Sequence, residues 1–127
     1  MIGSKLTRIF LFLILSGVAS VGFSGGRYAD PPVGLVEVAQ FNDKALEAAK
    51  AGNKEAALEN AKEARKIARD SFKEKSTMPM QKAGITLKAA LESLEAGNVA
   101  EAIPQLEDCK KTMDAEIEYY KGEGKLK

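Results

Sequence analysis

Ala45-Leu46-Glu47-Ala48-Ala49-Lys50-Ala51-Gly52-Asn53 recurs 45 positions later as Ala90-Leu91-Glu92-Ser93-Leu94-Glu95-Ala96-Gly97-Asn98. In both copies a helical run halts at Gly-Asn and a second begins at once. Glycine supplies the left-handed backbone that closes a helix, and an Asn side chain can accept a hydrogen bond from a free N–H of the next. The chain therefore reads as a duplicated helical hairpin. The expected fold is all-α: an up-down-up-down antiparallel four-helix bundle with short connections.

Apolar spacing extends this reading outward. Helices are expected over 36–51, 54–75, 79–96 and 99–121. The second carries Ala57, Ala61, Ala64, Ala68 and Phe72, flanked by Leu58 and Ile67. The third carries Met80, Gly84, Leu87, Leu91 and Leu94, with Ala83 and Ala90 beside them. The fourth carries Ala102, Leu106, Cys109, Met113, Ile117 and Tyr120. Steps of three and four place one stripe per helix toward a shared core. Asn98 followed by Glu101 approximates a capping box. Pro79 suits a first helical turn, whereas Pro104 lies deeper in its helix and should kink or locally open it.

The ends differ from the middle. Lys5 and Arg8 precede the apolar run Ile9-Phe10-Leu11-Phe12-Leu13-Ile14-Leu15, and small residues follow. This is the pattern of a secretory signal peptide over 1–24, too short and Gly/Ser-interrupted for a span of ~20 apolar residues. An irregular leader, 25–33, holds Gly25-Gly26 and Pro31-Pro32. The bundle occupies 34–121, and 122–127 reads as a flexible basic tail. The expected location is periplasmic or secreted, with no stable membrane anchor after cleavage. Lys5 and Arg8 are the charged residues so removed, leaving 17 basic against 18 acidic. Near-neutrality argues against general electrostatic capture of nucleic acid. A single Cys excludes an internal disulfide.

The chemistry is less constrained. The chain has no His, which removes the usual imidazole base, triad member and borderline-metal ligand, and the expectation is that the protein is not an enzyme. Met78, Met80, Cys109 and Met113 are the candidate ligands for a soft ion, with Met78-Pro79-Met80 offering thioethers suited to Cu(I). Against this, Cys109 on a core stripe also reads as a small hydrophobe. On the fourth helix Glu101, Glu107, Asp108, Asp114, Glu116 and Glu118 read as an acidic surface. On the second, Lys62, Arg65, Lys66, Arg69 and Lys73 interleave with Glu59, Glu63, Asp70 and Glu74. Opposite charges there at helical spacing favour a solvated, ion-paired face over an anion site.

The stretch from Lys44 to Tyr120 resembles the small metal-binding protein family. The resemblance is carried by Gly52, by Leu58-Glu59-Asn60-Ala61-Lys62-Glu63 and by Glu95-Ala96-Gly97-Asn98-Val99. It implies an exported four-helix bundle built from a duplicated hairpin and binding metal, copper included, through His. Asn53, Asn60, Asn98 and Gln105 stand where that pattern has His, and amides do not replace imidazole toward transition metals. The expected function is that of a small exported helical-bundle binding protein resembling the small metal-binding proteins, with metal binding, copper included, weakened or altered by the loss of His. The alternative is a non-metal structural or protein-interaction bundle in the periplasm, engaging a partner through an exposed helix face.

Overall fold

A computed structural model describes residues 28–127. The signal peptide expected over 1–24, and the first residues of the leader, lie outside them. The described chain folds as four helices: α1 (Leu35–Lys50), α2 (Lys54–Glu74), α3 (Met78–Glu95) and α4 (Val99–Gly122). Each begins and ends within a residue or so of its expected position. Each packs on two others, α1 and α3 both lying against α2 and α4. No described helix is long and apolar enough to cross a membrane.

The two Gly-Asn turns are built alike. Gly52 (φ 76°) and Gly97 (φ 84°) both adopt the left-handed backbone. The Gly52 N–H donates to the Ala49 carbonyl and the Asn53 N–H to that of Ala48. The second copy repeats both bonds, Gly97 to Leu94 and Asn98 to Ser93. This paired closure satisfies carbonyls that a helix end would otherwise leave open. The copies part at the side chain. Asn53 Oδ1 accepts from the Ala56 N–H at 3.2 Å, but Asn98 makes no side-chain cap. The expected cap at Asn98 is therefore absent. Its ψ is 67° against 87° at Asn53, and the N–H that Glu101 would reach already bonds to Ser93.

The duplication survives better in burial than in identity. A shift of 45 carries the buried Ala57, Ala61, Ala64, Ala68 and Ser71 of α2 onto the buried Ala102, Leu106, Cys109, Met113 and Glu116 of α4. Small side chains on one helix are thus matched by larger ones on its counterpart, which lets a thin α2 approach its neighbours while α4 fills the interior. The same shift superposes Asn42 on Leu87, both fully buried. Asn42 Nδ2 donates to the Leu106 carbonyl of α4 at 2.9 Å, while its Oδ1 has no partner among the described residues. Glu116, read from sequence as surface, is buried instead. A step of three from Met113 keeps it on the inward stripe, with Ile117 half-buried beside it.

Pro104 lies inside α4 without ending it. Its missing N–H leaves the Ala100 carbonyl without the donor four residues on. One end of the molecule is closed by the leader. The Tyr120 hydroxyl donates to the Tyr28 carbonyl at 2.9 Å, the Tyr28 hydroxyl donates to the Ser76 carbonyl at 3.2 Å, and Lys75 lies 4.5 Å from the Tyr28 ring centroid. Residues 122–127 fold back on this end. Gly124 repeats the left-handed closure of the internal turns, Lys125 pairs with Asp30 at 3.6 Å, and Leu126 packs on the core.

Candidate functional site

The sulfur ligands proposed from sequence occupy two environments. Met80, Cys109 and Met113 are buried in the core, whereas Met78, in the first turn of α3, is 58% exposed. Burial pushes the Cys109 thiol from 9.0 up to about 12, with the charges of Asp108 and Asp43 acting in the same direction and a hydrogen bond from Thr86 partly opposing them. A thiol so held is protonated at neutral pH, and the thiolate is the form that binds metals and attacks disulfides. Among the described residues no three of His, Cys, Asp and Glu are grouped to hold a metal ion.

The four amides at His positions of the resembled pattern have local partners or local roles. Asn53 caps α2. Asn60 Nδ2 donates to the Ala56 carbonyl one turn back, at 2.9 Å. Gln105 Oε1 accepts from the Ser93 hydroxyl at 2.9 Å, tying α4 to α3. Asn98 contributes backbone to its turn. Asn60 on α2 and Gln105 on α4 are carried by helices that pack chiefly against α1 and α3 rather than against each other.

Among the described residues, concavities lie at the α1–α4 and α2–α3 seams. The first, about 380 Å³, lies between α1 and α4, with Val36, Ala39 and Ile117 among its apolar lining and Asp43 and Asp114 on its polar side. Lys110 bridges those two carboxylates at 3.2 Å each. The hydrogen bonds that its ammonium donates to Asp114 and Asp43 raise its pKa above the usual lysine value. The lysine is 42% exposed, so the bridge is largely solvent-screened and contributes little stability.

The second concavity, about 240 Å³, lies between α2 and α3. Lys62, Arg65, Lys66, Arg69 and Lys73 line it, with Asp70 and with Leu91 of α3. Between described residues the ion pairs are Lys110–Asp43, Lys110–Asp114 and Lys125–Asp30, none of them on α2. The pairing expected of Glu59–Lys62, Glu63–Lys66 and Asp70–Lys73 is therefore not formed. Helical phase explains the difference. At about 100° per residue, Lys62, Lys66, Arg69 and Lys73 fall within an arc of about 60°. Glu59, Glu63, Asp70 and Glu74 centre about 80° further round. The cations line the groove beside α3, with Asp70 the one acid of the helix that lines it with them.

Arg65 is the member sequence reasoning undervalued. It is half-buried, and its Nε is shielded from solvent with no hydrogen-bond partner. The signal was available in its phase, between the cationic arc and the Ala61–Ala68 stripe. At Gly84, one helical repeat from Leu91 on the same side of α3, an added Cβ would meet nothing within 4 Å.

What the described residues define is a class: four helices and no strand among them, compatible with a four-helix bundle. Comparison with family models, with curated proteins and with solved structures returns no match to this chain.

Proposed function

We propose that the protein is an exported, non-catalytic binding module, an up-down-up-down four-helix bundle that engages a negatively charged partner through the α2–α3 face. Export rests on the basic and apolar pattern of residues 1–24. The bundle topology is supported by the two short Gly-Asn turns and by the packing of each helix on two neighbours. The observation that carries the functional reading is the row of five cations in the α2–α3 groove, none of them in an ion pair with a described residue. This favours an exposed helix face over the soft-ion set, because Met78 is exposed while Cys109 is buried as a thiol.

Charge segregation makes the reading testable without knowing the partner. With 17 basic and 18 acidic residues after removal of Lys5 and Arg8, a protein of evenly mixed charge would pass through a sulfonate cation exchanger at neutral pH. The cationic row predicts retention at low salt, and its loss in a Lys62→Gln/Lys66→Gln/Arg69→Gln variant. Passage of the unmodified protein, or retention of the variant, contradicts the reading.

A further inference from the structure

The geometry points to the α2–α3 groove as a binding site for a compact, polyvalent oxoanion of the condensed-phosphate type, held by Lys62, Arg65, Lys66 and Arg69. This deepens the anionic-partner reading and rests on it. The four cations stand at i, i+3, i+4 and i+7, so they surround one spot across two turns of α2 rather than forming a long file. A single carboxylate brought there would neutralise one cation and leave three facing each other. A ligand carrying several negative charges on closely spaced oxygens meets all four together.

Length is set by Asp70. It follows the quartet directly and lines the same groove before Lys73 is reached. An extended polyanion tracking the whole of α2 would pass this carboxylate, whereas a compact one stops short of it. The groove, at about 240 Å³, has room for more than one phosphoryl group. Arg65 adds directional chemistry. Its Nε is covered by protein and has no hydrogen-bond partner among the described residues, so part of its solvation is lost, and an oxoanion in the groove offsets the charge from the guanidinium's open side.

Other anionic partners fit less well. No aromatic residue lines the groove, so a single-stranded nucleic acid would find phosphate contacts but no stacking platform. A membrane surface calls for apolar side chains beside the cations. Among the described residues the exposed large apolar ones are Tyr28, Val33, Met78 and Ile85, and none of them lines this groove. The source that fits is a free, soluble condensed phosphate.

The test is calorimetric titration of the signal-free protein with sodium tripolyphosphate at low ionic strength, with orthophosphate, poly-glutamate and anionic phosphatidylglycerol vesicles as parallel arms. The expected result is one tripolyphosphate per chain, bound more tightly than orthophosphate. Lys66→Gln, at an exposed position, should weaken it by about tenfold without changing the melting temperature, the effect of one charge-assisted bond. Arg65→Gln should weaken it at least as much, while Asp70→Asn should tighten it. Equal or tighter binding of poly-glutamate would overturn the ligand class and leave the anionic face standing. Binding to the vesicles alone would reassign the site to a membrane surface. Failure to bind any of the four would overturn both the oxoanion site and the anionic-face reading.

Discussion

Asn53 and Asn98 occupy equivalent positions of a duplicated turn, yet only Asn53 caps with its side chain. Replacing Asn53 by Ala removes the acceptor of the Ala56 N–H and leaves that donor to water, a loss of about 1 kcal/mol typical of helix caps. Replacing Asn98 by Ala removes no such bond, since its contribution to the turn is the backbone N–H donated to Ser93. Its cost should stay within a few tenths of a kcal/mol, the scale of a surface substitution. For a domain of this size 1 kcal/mol corresponds to a shift of roughly 4–8 °C in melting temperature. Thermal unfolding followed by circular dichroism should show that shift for Asn53→Ala and almost none for Asn98→Ala. Gly52→Ala and Gly97→Ala are the matched controls. Both glycines have positive φ and open space at the Cβ position, so each should cost about 1–2 kcal/mol. Equal losses for the two asparagine variants, with equal losses for the glycines, would refute the asymmetry.

Gly34→Ala should cost more than either turn glycine, because φ is +83° and the new Cβ would stand 2.6 Å from Ile67 Cγ2. The left-handed backbone costs about 1–2 kcal/mol, and displacing a packed methyl adds about another 1 or more, measurable by urea denaturation. Cys109 should resist a disulfide reagent at pH 8 in the folded protein and react at once in denaturant. With the folded thiol pushed up to about 12 from 9.0, the native state holds the proton that the unfolded state releases between those values. Stability should therefore fall as pH rises above about 9, by at most about 1.4 kcal/mol per unit, and Cys109→Ala should flatten that slope. Zn(II) and Ni(II) should bind weakly in calorimetry, since no His is present and no described trio of Cys, Asp and Glu converges.

Most of the fold was legible because it is written in short-range signals. Gly52 and Gly97 had to turn left-handed, and the Ala57–Ala68 stripe had to face inward for period reasons alone. What stayed hidden depends on more than spacing. Glu116 is a charged residue at an inward phase, and composition pulled it outward in the reading. The missing cap at Asn98 goes with a ψ about 20° from that of Asn53, a detail below the resolution of a residue pattern. On α2 the pairs at i, i+3 were visible, but their place relative to α3 was not. The packing of α3 at Leu91 turned an apparently balanced face into a groove lined by five cations and a single acid, Asp70.

The central claim, that the α2–α3 seam is the binding face, is tested most directly by amide NMR of the uniformly ¹⁵N-labelled protein lacking residues 1–24, titrated with tripolyphosphate. The account predicts shifts concentrated in residues 62–73 of α2 and 84–91 of α3, saturating at one equivalent and reversed by added salt. Shifts centred instead on the α1–α4 cleft around Asp43 and Ile117, or none at any residue, would contradict it.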